Sequence, residues 1–219
     1  MIVCIDAGIV PYTEGLAWQK RLAEHRRNPN MPDHLLLLEH PPVYTIGRRD
    51  SVSDLLMSNE WIRDHGMEIH KTDRGGRVTY HGPGQLVGYL IFKVQDSVPK
   101  LVRKIEEVLI QTLAHFHING ERDSEYPGVW IDQRKIAALG LHIERGITTH
   151  GFSLNVNCDL KPFRYIHPCG IKNREVTSLE KEVGWSPSLR DVKSVVLMQF
   201  ARIFNTNVSV EGISSSLPE

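Results

Sequence analysis

The chain has 219 residues, 41% hydrophobic and 24% charged, and its 26 basic and 26 acidic side chains cancel. That length can bury a full hydrophobic core, and zero net charge removes the bulk electrostatic case for a nucleic-acid binder. No apolar run approaches the roughly 20 residues that cross a bilayer, the start lacks a secretion-signal pattern, and three cysteines suit a reducing compartment better than a disulfide scaffold.

In chain order, Thr13 is expected to cap a helix running to about Arg27, which Asn28-Pro29 ends. His34 to Leu38 and Val43 to Ile46 read as strands around Pro41-Pro42. Ser58 caps a short helix stopped by Gly66, Met67 to Lys71 is extended, and Leu86 to Val94 is the most strand-like stretch. After Ser97 comes the clearest helix, with Leu101, Val102, Ile105, Val108, Leu109, Leu113 and Phe116 at three- and four-residue spacing. Val129 to Ile131 and Lys135 to Leu139 flank Asp132-Gln133 as a hairpin, and Ile147 to Val156 pairs back through Glu144-Arg145-Gly146. Thr177 with Glu180, and Ser188 with Asp191, are capping boxes of two later helices. The order predicts an α+β (α/β) fold, a mixed, largely antiparallel sheet packed with helices. Residues 1–211 form one domain in this reading, with 212–219 a loose tail.

Two glycine-rich stretches carry the chemistry. Asp73 to Gln85 holds five Gly or Pro in thirteen residues, so the chain turns sharply and a ligand can approach its backbone. It is not a phosphate loop, because the Gly-Lys-Ser/Thr ending is absent. The second, Ile166-His-Pro-Cys-Gly-Ile171, places Cys169 at a turn, where free amides can lower a thiol's pKa and bind an oxyanion. Cys4, in an apolar run, and Cys158, at a strand end, read as buried small hydrophobes. No Cys-x-x-Cys or paired-His spacing supports a metal site. The residues alone leave the base for Cys169 open between lysine and a histidine, His81 or His150.

Four segments in order, Arg74-Gly-Gly-Arg-Val-Thr-Tyr-His-Gly-Pro-Gly-Gln85, Lys135-Ile-Ala-Ala-Leu-Gly140, His150-Gly-Phe-Ser-Leu-Asn-Val-Asn157 and Pro168-Cys-Gly-Ile171, closely resemble the lipoyl(octanoyl) transferase family. The resemblance covers roughly residues 33–182. It implies the fold of biotin and lipoate protein ligase catalytic domains. It also implies transfer of octanoyl from acyl carrier protein to a lysine of lipoyl domains, in 2-oxoacid dehydrogenase complexes and the glycine cleavage H protein. The residue matching the family's acyl-thioester nucleophile is Cys169, and Lys135 matches the lysine that tunes it. The implied acyl pocket comprises Arg74, Gly75, Gly76, Arg77, Val78, Thr79, Tyr80 and His81, then Ala138, Leu139 and Gly140, then Gly151, Phe152 and Ser153.

The chemistry of such a transfer is consistent with those residue types. A lysine can take a proton from the cysteine, return it to the departing carrier thiol, and later accept one from the incoming amine. Thioester exchange is nearly balanced and amide formation from a thioester is downhill, so no ATP, cofactor or metal is expected. Val78, Leu139 and Phe152 are candidates to contact the chain, and His81 and Tyr80 are candidate polar groups of the wall. Arg48, Arg49 and Lys172 are candidate contacts for the acidic carrier, though ordinary surface charge explains them better. The expected protein is a cytoplasmic monomer that binds neither nucleic acid nor membrane. An ATP-dependent lipoate or biotin ligase, a Cys-His thioester hydrolase and a non-enzymatic binder of acylated carrier are the rival readings.

Overall fold

The computed structural model describes residues 1–49, 54–167 and 174–212. Its elements in order are β1 (Ile2–Ile9), α1 (Tyr12–His25), β2 (Asp33–Glu39), β3 (Val43–Ile46), α2 (Asn59–Asp64), β4 (Glu68–Lys71), β5 (Val78–His81), β6 (Gln85–Ile91) and α3 (Val98–His115). There follow β7 (Glu121–Arg122), β8 (Gly128–Ile131), β9 (Arg134–Glu144), β10 (Ile147–Asn155), a 3-10 turn at Lys161–Tyr165, β11 (Glu175–Val176), α4 (Leu179–Val183), α5 (Leu189–Phe204) and β12 (Val208–Glu211).

Among the described residues, nine strands form the main sheet in the order β12-β1-β2-β6-β10-β9-β8-β7, with β11 also on β9. The β12-β1, β1-β2 and β11-β9 pairs are parallel, and the five others are antiparallel, as the mixed-sheet expectation requires. A second sheet, β4-β3-β5, stands apart from it.

The centre of the main sheet is covered on both faces, which is why its strands read as unbroken apolar runs. In β2, Leu35 and Leu37 join the cluster containing residues of α3 and α5, while Leu36 and Leu38 join Trp18 and Leu22 of α1. In β6, Leu86 and Leu90 take the first face, and Val87, Tyr89 and Ile91 take the second. The small sheet has its own apolar cluster, with Tyr44, Ile46, Ile62, Val78, Tyr80 and Phe163. Among the described residues, no helix is long and apolar enough to cross a membrane.

Both foreseen hairpins form. Arg145 and Gly146, at φ 52° and 77°, make the two-residue turn joining β9 to β10, the left-handed pair that matches strand twist. Ser58 and Ser188 cap α2 and α5 with their hydroxyls, as expected. Two expected caps shift. Pro11, not Thr13, precedes α1, because the helix already begins at Tyr12. Ser178 caps α4 by accepting from Lys181, and the Thr177 hydroxyl instead donates to Glu182. Segment 78–81, inside the glycine-rich stretch expected to turn sharply, is strand β5, paired through its backbone with β3. The foreseen tail lies outside the described residues beyond Gly212.

Candidate active site

One cleft forms where the two sheets meet. Thr79 and His81 enter it from β5, Ala138 to Gly140 from β9, and His150 to Ser153 from β10. Arg74 and Gly76 come from the loop before β5, and Tyr12, Val87 and Tyr89 complete the wall. All but four of the positions expected to line an acyl pocket meet here.

The exceptions are Gly75, Arg77, Val78 and Tyr80, and each has a physical reason. Successive strand residues face opposite sides, so Thr79 and His81 face the cleft while Val78 and Tyr80 fill the apolar cluster behind β5. Neither side chain lines the cleft wall, contrary to the sequence expectation. The Arg77 guanidinium donates to Asp54 at 2.6 and 3.1 Å. Gly75 lies against the backbone of Leu141, to which its N–H donates at 3.0 Å.

Arg74 holds the glycine-rich loop. Its guanidinium donates to Thr45 O and Oγ1, Gly75 O and Arg77 O at 2.6 to 3.0 Å. Gly76, at φ 88°, adopts the left-handed conformation this loop requires.

Lys135 occupies a small cavity that shares Thr79, Ala138 and Ser153 with the cleft. Its side chain reaches that side because of a β-bulge. Gly128 pairs with Ala138 and Val129 with Ala137, but Trp130 pairs with Lys135, so Ile136 is an extra residue. The bulge reverses the alternation: Lys135 Cε lies 3.4 Å from where a Cβ on Gly128, Ala138's partner, would stand. Bulges near functional sites commonly re-aim one side chain in this way. Lys135 is 6% exposed, donates from Nζ to Pro127 O at 3.3 Å, and lies 4.7 Å from the Trp130 ring centre. Arg174 also lies against that ring, 4.8 Å away, and is ion-paired with Asp123.

The cleft histidines are neutral and committed. Gln85 donates its amide to Asn155 Oδ1 and Tyr80 O, so its oxygen accepts from His81 Nδ1 at 2.7 Å. That leaves His81 Nε2 unprotonated, and burial, reinforced by nearby His40, pushes its pKa down to about 3. His40 donates from Nδ1 to Val10 O and accepts from the Tyr89 hydroxyl, both at 2.6 Å. His150, at φ 58°, donates from Nε2 to Asp73 at 2.8 Å; burial lowers its pKa despite that carboxylate. Burial opposes ionisation of Asp73, yet His150 and His142 outweigh it and hold the carboxyl below its usual range.

Cys4 and Cys158 are buried, and burial pushes both thiols up to about 12. Neither is a thiolate at neutral pH. Cys169 and Lys172 lie outside the described residues. Shortly after Cys169 in sequence, β11 runs beside Lys135: Val176 pairs with it, and Thr177 N donates to Lys135 O at 2.9 Å.

Sequence reasoning missed Tyr12, Val87 and Tyr89 as lining residues, and weighed His150 only as a base. The alternation of β6 puts Val87 and Tyr89 on one face, but nothing local says which face meets the cleft. Tyr12 arrives from a helix far away in sequence, which no local pattern reveals.

Residues 11–201 match the family model described as Lipoyl protein ligase A/B catalytic domain. An octanoyltransferase of Dictyoglomus turgidum is 46% identical over 195 residues, covering 89% of this chain and 84% of that one. Among solved structures, a bi-partite lipoate protein ligase from Thermoplasma acidophilum superposes with a TM-score of 0.77 at 14% identity, over 97% of this chain and 86% of that one. The biotin protein ligase of Aquifex aeolicus gives 0.54 at 12% identity, over 93% and 69%. The two solved structures share the fold.

Proposed function

The chain belongs to the lipoyl protein ligase A/B catalytic-domain family and is an octanoyl-transferring acyltransferase of lipoate assembly, and on that premise we propose that Cys169 carries the octanoyl group as a thioester with Lys135 as its proton partner. The donor is octanoyl-acyl carrier protein. The acceptor is a lysine of lipoyl domains, those of 2-oxoacid dehydrogenase complexes and of the glycine cleavage H protein. Residues 1–211 are read as the one catalytic domain.

The observation that carries this reading is the shared wall between the largely apolar cleft and the Lys135 cavity. An acyl chain lying in the cleft would bring its carbonyl end toward Thr79, Ala138 and Ser153, the described residues common to both spaces. Lys135 takes the proton of the Cys169 thiol, the sulfur attacks the donor carbonyl, the carrier's sulfur leaves with the bonding pair, and Lys135 returns the proton to it. In the second half-reaction the neutral acceptor amine attacks the same carbonyl and gives a proton to Lys135; the Cys169 sulfur leaves with the bonding pair and takes that proton from Lys135. Each proton taken is returned.

The histidine rivals fit less well. A group with a pKa near 3, as in His81, is a weak base at neutral pH, and His150 is bound to Asp73. An ATP-dependent ligase gives Cys169 no task. The test is incubation with octanoyl-carrier protein without ATP, followed by intact mass. The expected result is one octanoyl adduct removed by hydroxylamine, absent in Cys169→Ala and formed at least tenfold more slowly in Lys135→Ala, since general acid–base catalysis contributes roughly 10²–10⁴-fold. An adduct that survives Cys169→Ala overturns the reading.

A further inference from the structure

Thr79, Ala138 and Ser153 line both the cleft and the Lys135 cavity. Ala138 has no side chain that can hydrogen-bond, but the other two carry hydroxyls. Thr79 is 7% and Ser153 5% exposed, and neither hydroxyl bonds to another described residue. Neither oxygen is among the fully buried side-chain atoms without a partner, so each keeps some accessible surface at the junction. Both residues line the space a ligand would fill, which leaves these hydroxyls available to it. They reach the junction from different sheets: Thr79 from β5, and Ser153 from β10, where it pairs across to Ala138. His81, Tyr12 and Tyr89 are polar groups of the cleft too, but they do not border the Lys135 cavity.

We propose that the Thr79 hydroxyl, together with that of Ser153, donates a hydrogen bond to the oxygen of the acyl carbonyl in both half-reactions. The inference rests on the thioester reading above. When sulfur or nitrogen adds to the carbonyl carbon, the π pair moves onto oxygen, and it returns as the leaving sulfur departs. A donor already aimed at that oxygen is worth more to the tetrahedral intermediate than to the neutral thioester, so it raises the rate constant rather than tightening substrate binding. Hydroxyl donors suit this position because they keep their proton throughout and do not compete with Lys135 for it.

The test is single-turnover formation of the Cys169 thioester from octanoyl-carrier protein, followed by intact mass. Thr79→Val keeps the shape and removes the donor. Loss of one such donor typically costs roughly 10²–10³ in rate, so a fall of about a hundredfold is expected, with the half-saturating donor concentration unchanged. Ser153→Ala falls less than Thr79→Val, and Thr79→Ser stays within a few fold of wild type. Acylation of Thr79→Val at the wild-type rate overturns the proposal while leaving the thioester reading intact. So does a Thr79→Ser variant as slow as Thr79→Val, because packing rather than the hydroxyl would then be responsible. If the wild-type protein forms no thioester, the underlying reading fails and this one with it.

Discussion

At the residue scale, Arg74 shows how a side chain in a ligand-lining motif can be occupied by its own backbone. Its fork meets the carbonyls of Thr45, Gly75 and Arg77 and the Thr45 hydroxyl. A lysine is a point charge on a flexible stem and cannot reproduce that fork. Arg74→Met removes all these donors at a site where solvent cannot replace them. Each carbonyl left bare costs roughly 1–3 kcal/mol, so a loss of at least about 2 kcal/mol is expected in urea unfolding, with Arg74→Lys recovering only part of it. An unchanged midpoint in Arg74→Met would refute this role. The guanidinium lines the cleft as the motif suggested, but its bonds are to the loop that forms the wall.

At the element scale, the floor of the cleft depends on the contact between β6 and β10. Gly88 pairs directly with Phe152, and a Cβ on Gly88 would stand 2.2 Å from the Phe152 ring. The ring cannot remain in place if that carbon is added. Overpacking of this kind typically costs about 1–3 kcal/mol. Gly88→Ala is therefore expected to lower the unfolding free energy by that amount and to slow octanoyl transfer, because Phe152 also lines the cleft. Unchanged stability together with unchanged transfer would show that the strands part easily. The strand alternation of β5 works at the same scale, dividing four consecutive residues between an apolar cluster and a ligand-facing wall.

At the scale of the whole molecule, the fold encloses histidines that titrate near 6.5 when free. Burial lowers the pKa of His40 to about 4 and that of His81 to about 3. Below pH 6.5 the unfolded chain takes up protons that the folded chain refuses, so falling pH favours unfolding. Their contribution is complete above about pH 6.5 and is lost as pH falls toward 4 and 3. The melting midpoint is expected to drop between pH 6.5 and 5, above the range in which most carboxylates titrate. His40→Gln, although less stable at pH 7, should show a shallower drop. A midpoint constant over that interval would mean that the histidines are protonated in the folded state.

The sequence by itself determined the family, the class of reaction and most of the strands and helices. Four short motifs in one order are specific, and local apolar spacing reports β2, β6, α3 and α5 directly. It did not reveal β5, whose Val78–His81 sits among glycines and becomes a strand only by pairing with β3. Nor could it say which residues of a motif turn toward a ligand. Val78 and Tyr80 differ from Thr79 and His81 only in strand parity, and parity is decided by partners distant in the chain. The placement of Lys135 is the clearest case. By simple alternation it would face away from Ala138; the bulge at Ile136, made by the register against β8, turns it to the same side. Local chemistry names the candidate groups, and long-range pairing decides which of them share a cavity.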